Sequence, residues 1–150
     1  MKLKTFITTD RILLGVNQGS RREVLKELIQ PLVKDYISDE EAFLDDLEAR
    51  EDQVTTVMEN GVAFPHARSE NVKRLGVVVA TAPDGIQFGP EETGQSKLFI
   101  MIAVPSFAPT AHIPILQILA NYVKDQKRVD RLVASTTPSQ IVRSLANLKG

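Results

Sequence analysis

The chain contains no cysteine among its 150 residues. That excludes a disulfide framework, thiolate-bound zinc and a cysteine nucleophile, and it is compatible with a reducing compartment. An excess of charge is also missing: 18 Lys and Arg stand against 19 Asp and Glu, a formal net charge of −1. No overall field holds such a protein on nucleic acid or on an anionic membrane, so any anion site has to be local. Neither a basic stripe nor interleaved aromatics occur, and nucleic acid is not an expected partner. No window reaches the roughly 20 apolar residues of a membrane-spanning helix, and the N-terminal "MKLKTFITTDRILLG" lacks the apolar centre of a secretory signal. A cytoplasmic protein without direct membrane insertion is expected. P-loop, GxGxxG and GxSxG patterns are absent, and the two histidines have neither HxxxH nor HExxH spacing, so no cofactor and no metal are expected.

What is present is the composition of an ordinary folded domain, 43% apolar and 25% charged. At this length a single domain, 1–150, is expected. Ser20 and Glu23 form a capping-box pattern ahead of Val24, Leu25, Leu28, Ile29, Leu32, Val33 and Tyr36. This predicts a first helix with one buried face, kinked or broken at Pro31. Ser38 and Glu41 repeat the pattern and predict a second helix carrying Phe43, Leu44 and Leu47, with Arg50 near its end.

The period then becomes extended. "VTTVM" and "GVAF" flank Glu59, Asn60 and Gly61, which predicts a hairpin that supplies one antiparallel pair and delivers His66 at a strand end. Leu75 to Ala82, stopped by Pro83, Asp84 and Gly85, and Lys97 to Pro105 are apolar on successive residues, as strands covered on both faces are. A loop, "SFAPTAH", leads to a helix with Pro114 in its first turn, and two shorter helices follow, the last opened by Thr137, Pro138 and Gln140. With a short N-terminal strand, this order predicts an α/β fold: a three-layer α/β/α sandwich with a mixed four- to five-stranded sheet flanked by helices.

The chemistry-bearing residues are few. Pro65 fixes the approach to His66, Ala67 keeps the next position small, and the polar "RSENVKR" run implies exposure, so His66 is rigidly presented to solvent. His112 falls at a helix N-terminus, where it faces a bound anion, caps its own helix or lies idle in the loop. Arg50 is either a surface ion pair or an anion ligand.

The segment "NGVAFPHA" closely resembles the active-site segment of EIIA domains of the fructose/mannitol type in the bacterial phosphoenolpyruvate-dependent phosphotransferase system (PTS), a family that includes the nitrogen-regulatory EIIA proteins. The resemblance extends over nearly the whole chain, through Arg50 and Glu51, Thr56, Pro65 and His66, and His112. It implies that His66 accepts a phosphoryl group from HPr or a related phosphocarrier and passes it to a cysteine of an EIIB domain, which makes the chain a phosphotransferase. Arg50 would then hold the phosphoryl oxygens, the Thr56 hydroxyl would donate to them, and His112 would orient His66 or contact the phosphoryl group. The alternative within the same family is a regulatory binding module whose partners are transporters, kinases or transcription factors. Val57 and Glu59 stand where the family usually has glycines, which brings bulk and one negative charge toward the site.

Overall fold

The computed structural model describes residues 3–149. After two single-turn 3-10 helices the chain enters β1 (Ile12–Leu13) and then α1 (Arg21–Ile29). Ser20 caps α1 by accepting from the Glu23 backbone N–H, and its hydroxyl donates to the Glu23 carboxylate. Pro31 ends the α-helix as its missing donor requires, and a 3-10 turn, Gln30–Leu32, takes over. The next helix, α2 (Glu40–Gln53), is capped by Asp39, which accepts from Ala42 N–H. The expected cap, Ser38, is occupied elsewhere and donates to the Asn71 carbonyl.

The Asn-Gly segment forms a turn, but not the sheet pair expected of it. Gly61 N–H donates to Met58 O across Glu59 and Asn60, with Gly61 at a φ of 80° that favours glycine. Only one isolated antiparallel bridge, Val57 to Ala63, joins the two arms, and residues 54–58 add no strand to the sheet. The second arm supplies β2 (Val62–Ala63) and β3 (His66–Ser69), both parallel to β5. They keep one register, with Val62 opposite Leu98 and His66 opposite Ile102. Pro65, which has no N–H, interrupts what is otherwise one edge strand.

The antiparallel pair lies instead at the centre, between β4 (Gly76–Ile86) and β5 (Ser96–Pro105). β4 continues past the expected stop at Pro83 by shifting register between Thr81 and Ile86. The five-stranded sheet has the order β1-β4-β5-β2, with β3 on the same edge of β5 as β2. Three helices close the chain: α3 (Ile113–Tyr122), α4 (Gln126–Val133) and α5 (Pro138–Leu145), the last with a complete Thr137/Gln140 capping box.

Alternation along the central strands builds two cores, because successive side chains leave a strand on opposite faces. Val78, Ala80, Ala82, Phe99, Met101 and Ala103 pack with α1 and α2 residues such as Leu25, Leu28, Phe43 and Leu47. Val77, Val79, Leu98, Ile100 and Ile102 pack with Ile115, Leu119, Leu132, Ile141 and Leu145 of the C-terminal helices. The result is the three-layer α/β/α sandwich. Among the described residues no helix is long and apolar enough to cross a membrane.

Candidate functional site

His66 opens β3 on the sheet edge, directly after Pro65. Its Nδ1 lies 2.8 Å from the Phe64 carbonyl oxygen. A carbonyl only accepts, so Nδ1 carries the proton, and in the neutral ring Nε2 keeps its lone pair. The imidazole is thus oriented by its own strand, through a backbone held extended by the proline. Along β3 the burial alternates: His66 is half-buried, Ala67 buried, Arg68 exposed and Ser69 buried. His66 and Arg68 therefore leave the strand on the same face.

These two residues line a cleft of about 430 Å³ together with Asp46, Ala49, Arg50 and Gln53 of α2, Ala67, and His112. The rings of His66 and His112 have centroids 5.5 Å apart and are tilted by 37°. His112 is only 4% exposed, occupies the N-cap position of α3 without a capping hydrogen bond, and its Nδ1 has no partner. Of the readings that the sequence left open, self-capping is therefore not the one adopted.

Arg50 donates from Nη1 to the Val54 carbonyl at 2.7 Å, and Arg68 donates from Nε to the Pro109 carbonyl at 2.8 Å. Among the described residues, neither guanidinium is in an ion pair. The contrast with Arg21 and Arg22, which are tied to Glu41, Asp45, Glu48 and Asp52, is clear. Asp46, the carboxylate on the cleft wall, accepts from the Ser69 hydroxyl at 2.5 Å.

Burial pushes the His66 pKa below the ordinary histidine value, and the Arg50 and Arg68 charges push it the same way, against the Phe64 hydrogen bond and Glu51. His112 is lowered by burial, then by His66 and Arg68. Both rings are consequently neutral near pH 7, with Arg50 and Arg68 acting on His66 against the anionic Glu51, and Arg68 acting on His112 as well.

Thr56, expected as a donor to phosphoryl oxygens, is not among the residues lining the cleft. Its hydroxyl donates to Glu51 Oε1 at 2.7 Å and its N–H to Glu51 Oε2 at 2.6 Å, while the Thr55 hydroxyl donates to Oε2 at 3.0 Å. The buried Glu51, 5% exposed, thereby anchors the arm that follows α2. Val57 turns its side chain to the core and toward Gly89, and Glu59 is exposed in the turn. The bulk and charge that replace the family's glycines both lie off the cleft. The sequence pattern did not bring out Arg68 or the anchoring role of Glu51; two-residue periodicity from His66 would have flagged the first.

A neutral, oriented imidazole on a sheet edge of an α/β domain thus shares a cleft with two guanidiniums that pair with no carboxylate among the described residues. Residues 5–148 match the model of the family described as "Phosphoenolpyruvate-dependent sugar phosphotransferase system, EIIA 2", and the chain belongs to that family. Over 156 aligned residues it is 30% identical to the PTS system 2-O-alpha-mannosyl-D-glycerate-specific EIIABC component of Escherichia coli (strain K12), covering 100% of this chain and 23% of that protein. The chain spans 21–23% of the length of this relative and of two mannitol-specific EIICBA components. The crystal structure of IIA mannitol from Escherichia coli superimposes with a TM-score of 0.80 at 28% identity, covering 93% of this chain and 98% of that one. The complex of enzyme IIA mannitol and phosphorylated enzyme IIB mannitol from the same organism gives a TM-score of 0.80 at 26% identity, covering 93% and 96%.

Proposed function

We propose that the chain is a phosphocarrier domain in which His66 Nε2 accepts a phosphoryl group from an HPr-like carrier and delivers it to a cysteine of an EIIB domain. The observation that carries this reading is the Nδ1 contact to Phe64 O, which leaves Nε2 as the nucleophilic atom beside Arg50 and His112. In the first step the Nε2 lone pair forms the N–P bond while the donor's bond to phosphorus breaks and its electron pair returns to the donor. The proton stays on Nδ1, hydrogen-bonded to Phe64 O, so the reaction needs no proton removed from this ring. In the second step a cysteine thiolate of the acceptor attacks phosphorus, and the N–P electron pair returns to Nε2.

Phosphoryl transfer asks the protein mainly for positioning and charge compensation. Arg50 supplies a cation that pairs with no carboxylate among the described residues, and His112 supplies a second ring nitrogen at the same cleft. Thr56 serves in the Glu51 anchor that holds the arm carrying Val54, whose carbonyl receives Arg50. Docking of protein partners is supported by exposed apolar side chains: Phe107, in the loop that leads to His112, is 76% exposed, Val54, whose carbonyl receives Arg50, is 68% exposed, and Ile113, next after His112 in the chain, is exposed as well. The likeness to enzyme IIA mannitol in its complex with phosphorylated enzyme IIB mannitol supports an EIIB partner for this chain as well.

The test is incubation of the full chain with phosphoenolpyruvate, enzyme I and a matching carrier. An acid-labile, base-stable label on the wild type and none on His66→Ala is expected. Label retained in His66→Ala would overturn the assignment.

A further inference from the structure

We propose that Arg68 is a second phosphoryl-binding guanidinium at the cleft it shares with Arg50, and that through the same side chain it ties the loop carrying His112 to the strand carrying His66. This rests on the phosphocarrier reading of His66 above.

Three observations carry it. First, Arg68 follows His66 by two residues on β3, so both side chains leave the same face of the edge strand and line the same cleft. Second, Arg68 is committed through one atom only: Nε donates to Pro109 O, and no carboxylate pairs with its Nη groups among the described residues. A planar guanidinium with one edge pinned presents its remaining N–H groups in a fixed fork, the geometry that suits phosphate oxygens. Third, Pro109 lies three residues before His112, whose side chain is nearly fully buried and makes no capping bond. The loop from Pro105 to His112 is otherwise fastened to β3 by the bond from Ser106 N–H to Ser69 O. The Arg68 contact thus joins the supports of the two imidazoles.

The charge effect agrees with this placement, since Arg68 depresses proton affinity at both rings. Lysine does not reproduce the arrangement. Its single ammonium can take the carbonyl or the phosphoryl oxygens, but lacks the two-edged fork.

The experiment compares the full-length wild type, Arg68→Lys and Arg68→Ala. Arg68 is exposed, so both variants should fold; circular dichroism and unfolding midpoint check this. Initial rates with phosphorylated carrier are measured against carrier concentration and salt, and the lifetime of the phosphorylated chain is followed separately. A contact made to the phosphoryl group in transit lowers kcat in Arg68→Ala by about 10- to 100-fold, with KM for the carrier changed far less. Arg68→Lys should recover part of the loss, and NMR titration of Arg68→Ala should show both histidine pKa values raised.

Unchanged kcat in Arg68→Ala would overturn the proposal, as would a defect confined to KM that disappears at high salt, because that marks a rim charge met by the partner. Failure of the parent reading is told apart by the wild type: no labelling of His66 by any carrier sinks the phosphocarrier function. Arg68 is then judged on the wild type and Arg68→Ala phosphorylated chemically with phosphoramidate. Equal lifetimes of the two phosphohistidines overturn the Arg68 contact independently.

Discussion

Glu51→Gln separates an anchoring carboxylate from one that merely happens to be buried. The substitution keeps side-chain volume and changes only charge and one hydrogen-bonding group. In the wild type three donors converge on the carboxylate, the Thr55 hydroxyl and both the N–H and hydroxyl of Thr56, at 2.6–3.0 Å. A glutamine oxygen at the Oε2 position keeps two of these bonds, and the Thr56 hydroxyl must turn over to accept from the new amide. What is lost is charge assistance, about 1 kcal/mol per bond over three bonds. Relief of the buried charge's desolvation returns part of it, leaving a net loss of about 2 kcal/mol. Urea unfolding should show a lower midpoint at unchanged m, and Tm should fall by about 4–8 °C for a domain of this size. In a double-mutant cycle, Thr56→Val should cost about 2 kcal/mol in the wild type, where its bond is charge-assisted, and about 1 kcal/mol in Glu51→Gln, where a neutral bond remains. A loss below about 0.5 kcal/mol, or additive effects in the cycle, would refute the claim that Glu51 organises the arm.

Further outcomes are expected. Because burial and the flanking cations lower the His66 pKa, its neutral form should persist through pH 6.5, and the phosphorylation rate should fall only below that ordinary histidine value. The titratable and charged groups facing the ring are Arg50, Arg68, His112, Glu51 and Asp46, so Arg50→Ala should move the inflection upward; a wild-type inflection above pH 6.5 would contradict the assignment. The same depression makes the unfolded chain bind more protons than the folded one below pH 6.5, so these histidines withdraw stability as pH falls from there toward their folded pKa values, measurable by urea titration. At α2, Asp39→Ala should cost about 1 kcal/mol and Ser38→Ala clearly less, since Asp39 alone accepts from the helix. Equal costs in urea unfolding would contradict that.

Local signals in the sequence were legible where one residue had one use. Ser20, Pro31 and the Thr137/Gln140 box act on their own helices, and their positions survive in the structure. Neighbouring residues with equal capping chemistry were not separable: Ser38 and Asp39 both qualify, and a tertiary contact to Asn71 decides between them. The 54–58 run is β-prone in composition, yet its Thr56 N–H goes to a side chain rather than to a ladder, and nothing local announces that Glu51 will be the acceptor. The central antiparallel pair escaped because a nine-residue connection from Gln87 to Gln95 carries no hairpin signature. At the candidate site, His66 was legible from Pro65, whereas its partners depend on three segments meeting at one edge strand, α2, β3 and the start of α3. Only the i, i+2 relation of Arg68 to His66 was local enough to have been seen.

The electrostatics of the cleft follow from one arrangement with two consequences. A proton on His66 is cationic, and a phosphoryl group on the same ring brings roughly −1.5 to −2 charges. Arg50 and Arg68 therefore act in opposite directions on the two species that compete for Nε2: they oppose the proton and favour the phosphoryl group. Burial opposes charge of either sign, so it lowers proton affinity without by itself favouring an anion, and the guanidiniums must outweigh it for the phosphorylated state. On the phosphocarrier reading proposed above, that requirement accounts for neither arginine being paired with a carboxylate among the described residues, although the chain holds more acidic than basic residues. Asp46, the acid closest to doing so on the cleft wall, is held instead by the Ser69 hydroxyl. Freeing it by Ser69→Ala should let Asp46 approach the guanidiniums. The expected result is a higher His66 pKa and a shorter-lived phosphohistidine, and an unchanged lifetime would show that the two arginines are not limiting.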